Sequence, residues 1–214
     1  MRILLHSPQP HESQSDQRIE RTLSDRPITS LETLATALHI LHKTYGIPHI
    51  IITSVRFPCS TSPTETISVI GSTATSAFVP RIFSVSVPAI SCFFSGTGDM
   101  FAALTVCRLR EAVAAVPGLS HKHGWVSDDD VAAMELPLCV AVEKVLGSMQ
   151  KILGKTRLER DRILDGYTEA QLEGQAGRVL KSKAAEVRLV RNLADLHPSK
   201  DDIYPAVEVR IGAT

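Results

Sequence analysis

The chain of 214 residues has no excess of charge of either sign, because 23 Lys and Arg residues balance 23 Asp and Glu residues. A protein that holds a nucleic-acid backbone normally carries a basic excess, so this balance argues against nucleic-acid binding. The sequence also has no apolar run near the roughly 20 residues that a membrane-spanning helix needs. Its opening segment, Met1–His6, is too short for a signal-peptide core. These absences predict a soluble protein of the cytoplasm, with the nucleus as a second location, that has no nucleic-acid or membrane partner.

Paired cysteines and metal-site histidines are missing as well. The four cysteines lie singly, with no C-x-x-C pair, and three of them stand in apolar stretches, which favours reduced structural thiols. The pairs His39–His42 and His121–His123 have no acidic or cysteine partner at the spacing of a metal site. No metal ligand is therefore assigned from the sequence. The cysteines are Cys59, Cys92, Cys107 and Cys139.

The residues that are present indicate one folded unit behind a leader. Residues 1–26 show little periodicity and few aromatic residues, which predicts a disordered or weakly ordered segment. Residues 27–214 carry periodic apolar patterns, and the 43% of hydrophobic residues in the whole chain is ordinary for a globular protein.

Apolar periodicity predicts four helices, over residues 30–45, 99–116, 128–153 and 168–183. Ser30 is a candidate N-cap for the first of them. Ser127, followed by three aspartates at the positive end of a helix dipole, predicts the start of the third. Pro137 then predicts a kink inside that helix.

Runs of β-branched and alternating residues predict the strands. Residues 47–54 form an apolar run that fits a strand buried on both faces, as in a parallel sheet covered by helices. Residues 66–70 and 81–87 alternate cleanly around a Gly-, Ser- and Thr-rich connection, which predicts an antiparallel pair. Two late strands are predicted at 187–190 and 206–209. Helices that alternate with such strands predict the α/β class.

The informative chemistry lies in the turn Gly96-Thr97-Gly98-Asp99, between an apolar segment and a helix. Two glycines at alternate positions let the backbone approach a bulky anion, and the first helical N–H groups point outward without internal partners. Together they form a cradle suited to phosphate. The helix dipole favours the charged form of the Asp99 carboxylate, which could accept a proton from an incoming hydroxyl.

This motif has a simpler interpretation, since a Gly-x-Gly turn with an acidic first helical turn also occurs as ordinary structure. It is not a Walker loop, because no G-x-x-x-x-G-K-[ST] occurs in the sequence. It is not a dinucleotide fingerprint either, because the third glycine is absent.

The stretch 96–104, G-T-G-D-M-F-A-A-L, resembles the Gly-Thr-Gly-Asp helix start of the pyridoxal kinases, which belong to the ribokinase-like superfamily. Residues 28–54 resemble the helix and strand midway through those kinases. Residues 186–191 resemble their terminal Leu-Arg-Leu-Val strand, and residues 143–146 fit their penultimate helix. The resemblance covers roughly residues 27–211, in the order of the family.

This resemblance implies a ribokinase-like three-layer α/β sandwich that transfers the γ-phosphate of ATP to the 5′-hydroxymethyl group of pyridoxal. Asp99 would contact the substrate and take the proton from its hydroxyl. The backbone at Gly96, Thr97 and Gly98 would hold the charge that develops on the transferred phosphoryl group.

The resemblance also implies ligands and partners. Thr53 and Ser54 match a Thr-Ser pair that contacts ATP phosphates and a nearby cation. The implied cofactors are ATP with Mg²⁺ and, as a second ion, a monovalent cation; the implied partner is a second copy in a homodimer. The residues that match the nucleotide site are Thr53, Ser54, Ile90, Ser91, Cys92 and Thr97.

The N-terminal half of the family has no counterpart here, and Ser24–Pro27 replaces the family's Asn-x-x-Glu-x-x-x-Leu. The resemblance therefore implies an incomplete sandwich, the C-terminal part of a pyridoxal kinase-like domain over 27–214 behind an unrelated leader. Two alternatives stay open. One is an inactive module that binds nucleotide or dimerises, and the other is a kinase of the same superfamily that acts on hydroxymethylpyrimidine or a sugar.

Overall fold

A computed structural model describes residues 2–4, 30–55 and 65–210 of the chain. The predicted leader lies outside this part except for residues 2–4, and so do Cys59 and most of the loop that precedes residue 66. Residues 2–4 form a strand rather than a disordered segment, so the leader prediction is wrong for these three residues and stays a prediction for the others.

The described residues form a five-stranded sheet in the order β1-β2-β3-β4-β5. β1 is parallel to β2, whereas the other neighbouring pairs are antiparallel. The predicted antiparallel pair is confirmed as β3 and β4, which share nine register pairs from Thr66↔Pro88 to Ala74↔Pro80. The strands are β1 (Arg2–Leu4), β2 (His49–Val55), β3 (Thr66–Ala74), β4 (Pro80–Pro88) and β5 (Ala206–Glu208).

The described ranges contain four α-helices. The first begins at Ser30, where the Thr33 backbone N–H donates to the Ser30 hydroxyl and the Ser30 N–H donates to the Thr33 hydroxyl. It ends at Gly46 in the left-handed conformation, as the sequence predicts. The helices are α1 (Leu31–Tyr45), α2 (Thr97–Ala114), α3 (Pro137–Leu164) and α4 (Gly174–Ala184).

The predicted start and kink of the third helix are wrong. Helix α3 begins at Pro137, whose fixed φ and missing N–H suit the first position of a helix. The preceding residues are held out of a helix because the Arg81 guanidinium donates to the carbonyls of Asp128 and Val131, at 2.6 and 3.1 Å.

The predicted strand over 187–190 is also wrong. This segment makes a single parallel β-bridge, between Ser95 and Glu186. Two residues later, the Arg188 N–H donates to the Thr156 hydroxyl at 3.3 Å instead of to a strand. A 3₁₀ helix follows over Val190–Leu196. Val187 and Leu189 pack on the core without joining the sheet, whereas Val190 is exposed. The late strand at 206–209 is confirmed as β5, and the helix predicted over 168–183 is observed as α4 behind a short 3₁₀ turn.

Successive residues of the central strands point to opposite faces of the sheet, and each face has its own core. Ile50 and Ile52 of β2 pack with α1, whereas Ile51 packs in the larger cluster with residues of α2 and α3. The sheet is therefore covered on both faces, which confirms the three-layer α/β class. Among the helices in the described ranges, none is long and apolar enough to cross a membrane.

Candidate active site

The glycine turn lies where the chain passes from β4 into α2. Gly96 takes the left-handed conformation, with φ of 89°, and caps α2 without any side-chain hydrogen bond. The first N–H groups of α2 therefore have no side-chain cap. A Cβ placed on Gly96 would meet no heavy atom within 4 Å, so the space beside the turn is open. An open turn of this kind can receive an anion against the backbone.

Asp99 stands in the first turn of α2 with its side chain exposed, while Thr97 and Gly98 are half-buried. Among residues 89–99, Asp99 is the only acidic residue. Its position lets a carboxylate reach a group that is bound at the turn. The predicted order of elements, an apolar segment followed by a glycine turn and a helix, is confirmed, although the helix begins at Thr97 rather than at Asp99.

Thr53 and Ser54 lie in a β-bulge near the end of β2. Register pairs join Ile52 to Ile70 and Val55 to Ser68, so two residues of β2 face one residue of β3. Ser54 has φ of 60°, which is uncommon for a residue with a side chain. Backbone outliers of this kind cluster at functional sites and support such a role here. No sequence signal marks this bulge.

The register places the bulge of β2 and the end of β4 at the same end of the sheet. Val55 pairs with Ser68, and Ser68 pairs with Ser86 of β4, so β2 and β4 run in the same direction and finish at the same end of the sheet. One strand separates them, which corresponds to roughly 10 Å. The glycine turn follows β4 after seven residues of loop. The loop that leads to the glycine turn therefore starts at the end of the sheet where the bulge lies.

The residue before the glycine turn is fixed by the segment after α4. The Ser95 N–H donates to the carbonyl of Ala185 at 3.2 Å, and the Val187 N–H donates to the carbonyl of Ser95 at 3.1 Å. Gln150 of α3 holds the end of β4 by donating to the carbonyl of Pro88 at 3.1 Å. Elements that are distant in the sequence therefore position the start of α2.

Ile90, Ser91 and Cys92 lie in the loop between β4 and the turn. The Cys92 N–H donates to the carbonyl of Ile90 at 2.7 Å, and Ser91 is exposed between them. Burial raises the pKa of the Cys92 thiol against the opposing effect of Arg160, which lies on α3. The thiol is thus held in its neutral form, as expected of a structural cysteine.

Candidate metal ligands do not cluster among the described residues. In the described ranges, no group of three or more His, Cys, Asp or Glu side chains could hold a metal ion. Mg²⁺ is commonly bound by one or two carboxylates together with substrate phosphates.

Comparison with known proteins agrees with this fold. No family model matches the chain. A Schizosaccharomyces pombe (strain 972) protein named "Putative pyridoxal kinase C18.10" is 29% identical over 184 residues, which cover 86% of this chain. The chain spans 50% of the length of that curated protein.

Two solved structures share the fold. A Leishmania donovani pyridoxal kinase in complex with ADP and pyridoxamine has a TM-score of 0.52 at 21% identity, and the match covers 88% of this chain and 47% of that one. Plasmodium falciparum PdxK with AMP-PNP and PL has a TM-score of 0.52 at 17% identity, with 91% and 48% covered. The chain described here is thus pyridoxal kinase-like in sequence and fold.

Proposed function

We propose that this pyridoxal kinase-like chain carries the phosphoryl-transfer site of an ATP-dependent kinase that phosphorylates the 5′-hydroxymethyl group of pyridoxal, giving pyridoxal 5′-phosphate. One observation carries the proposal: an open, uncapped glycine turn with an exposed carboxylate in the following helical turn. The bound nucleotides and pyridoxamine in the names of the solved relatives support it.

Each residue has a distinct part in the proposed reaction. The backbone N–H groups at Gly96, Thr97 and Gly98 stabilise the charge on the transferred phosphoryl group. The substrate oxygen forms a bond to the γ-phosphorus, and the bond from that phosphorus to the bridging oxygen of ADP breaks. Asp99 accepts the hydroxyl proton, a contribution of about 10²–10⁴ in rate for a well-placed base.

The β2 bulge would meet the other phosphates of ATP. Thr53 and Ser54 lie at the end of the sheet where β4 leads into the loop before the turn. The left-handed backbone at Ser54 turns the two side chains away from the directions that they would have in a regular strand. Mg²⁺, held with the phosphates, would supply charge neutralisation, and a monovalent cation near Thr53 is a further part of the proposal. The loop of Ile90, Ser91 and Cys92 would line the nucleotide. We further propose a cytoplasmic homodimer.

The test is ATP-dependent formation of pyridoxal 5′-phosphate by purified protein with Mg²⁺, measured by chromatography. Because the chain spans half the length of its curated relative, a second arm joins it to the part of the S. pombe protein that it does not match. We expect product in the joined protein, and its loss in the joined protein that carries Asp99→Asn.

Other outcomes would overturn the proposal in favour of an alternative. ATP binding without product in either arm would indicate a nucleotide-binding or dimerisation module. Phosphorylation of hydroxymethylpyrimidine or a sugar, and not of pyridoxal, would indicate another kinase chemistry at the same turn.

A further inference from the structure

A second concave site lies beside the glycine turn, between α3, α4 and the loop that follows β4. It has a volume of about 270 Å³, close to the lower end of roughly 300 Å³ for small-molecule sites. We call it the basic cleft. Its lining residues are Phe93, Arg160, Arg178, Lys181, Ser182 and Ala185.

One face of α4 forms a wall of this cleft. Arg178, Lys181, Ser182 and Ala185 follow the spacing of i, i+3, i+4 and i+7, so they share a single side of the helix. Ala185 directly follows α4, where its carbonyl accepts the Ser95 N–H. The cleft is therefore tied to the chain segment that enters the glycine turn.

The charge in the cleft is of one sign. Three of the six lining residues are cationic and none is acidic. The side chains of Arg178 and Lys181 are exposed and make no hydrogen bond or ion pair with any residue in the described ranges. Arg160 donates to the Asp161 carboxylate at 2.5 Å, so this third cation is partly neutralised. Two unpaired cations on one helix face favour an anionic ligand.

The cleft also offers a flat apolar surface. Phe93 is 50% exposed. A ring that is half open to solvent beside cations can stack on a flat ligand. Phosphate groups would meet Arg178 and Lys181, and the Ser182 hydroxyl adds a neutral donor.

We propose that the basic cleft binds a phosphate monoester that carries a flat ring, with the ring on Phe93 and the phosphate between Arg178 and Lys181. None of the residues 96–99 lines the cleft, so this site is separate from the proposed phosphoryl-transfer turn. The proposal does not depend on kinase activity.

The test measures binding of phenyl phosphate and of inorganic phosphate to the full chain by isothermal titration calorimetry. Phenyl phosphate carries both groups, whereas inorganic phosphate carries the anion alone. We expect phenyl phosphate to bind more tightly in the unaltered chain. Arg178→Ala combined with Lys181→Ala should weaken both ligands by about tenfold or more, since hydrogen bonds to charged groups are strong. Phe93→Ala should weaken phenyl phosphate alone, by about threefold.

Lys183→Ala is the matched control, because Lys183 is an exposed cation of the same helix that does not line the cleft. Circular dichroism of each variant establishes that α4 is retained. Equal binding by the Lys183→Ala and Arg178/Lys181 variants would overturn the proposal. Loss of phenyl phosphate binding in Gly98→Ala, with binding retained in the cleft variants, would also overturn it, because the ligand would then occupy the glycine turn.

Discussion

Asp99 is the residue on which the proposed chemistry depends. Asn keeps its shape but removes the charge and the basicity, so Asp99→Asn should lower turnover by about 10²–10⁴ while ATP binding stays nearly unchanged. The measurement is steady-state turnover together with ATP affinity, in the joined protein described above.

Two variants make this prediction specific. Asp165→Asn removes an exposed carboxylate beyond the end of α3 and should leave turnover unchanged. Gly98→Ala places a methyl group beside the anion cradle and should weaken ATP binding itself. If Asp99→Asn kept near-normal turnover, Asp99 would be an ordinary residue of a first helical turn.

Substitution by alanine should have opposite effects on the free energy of unfolding at Gly71 and at Gly154. A Cβ on Gly71 would lie 2.0 Å from Cζ of Phe83, which is fully buried, so Gly71→Ala should destabilise the fold by about 1–3 kcal/mol or more. Gly154 lies inside α3 with nothing within 4 Å of an added Cβ, so Gly154→Ala should stabilise by about 0.5–1 kcal/mol. Urea unfolding of both variants measures the difference, and a loss of stability in Gly154→Ala would contradict the open space seen there.

At the scale of the elements, two buried histidines hold the central strands. His42 of α1 is fully buried, accepts from the Ser72 hydroxyl and donates to the carbonyl of Ile47. His49 of β2 donates to the carbonyl of Gly124 at 2.8 Å and accepts from the Thr73 hydroxyl at 3.0 Å. Each carbonyl can only accept, so the ring nitrogen that faces it carries the proton, and in a neutral imidazole the other nitrogen accepts from the hydroxyl.

Because both histidines are buried, we expect the free energy of unfolding to fall in acid. Burial lowers the pKa of His49 to about 4 and lowers that of His42 as well. Between pH 6.5 and about 4 the unfolded chain binds protons that folded His49 does not, so the free energy of unfolding falls as the pH falls. The slope from His49 alone is about 1.4 kcal/mol per pH unit.

Urea unfolding at several pH values between 7 and 4 measures this slope. His49→Gln removes one titrating group and should reduce the slope, at a cost in stability that is largest at neutral pH. His121→Asn, which changes an exposed histidine, should leave the slope as it is. An unchanged slope in His49→Gln would show that His49 does not titrate as the structure implies.

At the scale of the whole molecule, β1 covers one edge of the sheet. Its three residues pair in parallel with Ile50, Ile51 and Ile52, the most buried part of β2. Removal of residues 1–4 would expose the backbone groups along that edge, and exposed edges promote association between chains. We expect the shortened chain to unfold at lower urea and to associate at lower concentration, as measured by light scattering. Identical behaviour would instead support the sequence prediction of a disordered or weakly ordered segment over residues 1–26.

The sequence by itself determined the features that depend on neighbours within a turn or a strand. The caps of α1 at Ser30 and Gly46, the alternation of β3 and β4, and the glycine turn before α2 all follow from local propensity and hydrogen bonding. Because the turn is local, its glycines and helix start predict an anion cradle from the sequence alone. A resemblance to pyridoxal kinases then supplied the roles of its residues.

The tertiary structure decided what depends on contacts between distant residues. Ser127 and the three aspartates that follow it carry a strong local signal for a helix start. In the structure, the Arg81 guanidinium donates to the carbonyls of Ser127 and Asp128, and the helix begins at Pro137 instead. The bulge at Ser54 exists only through pairing with β3, and the basic cleft exists only because α4 packs beside the loop of Phe93. Such contacts join residues tens of positions apart, and a periodic pattern of single residues holds no information on which distant groups will meet.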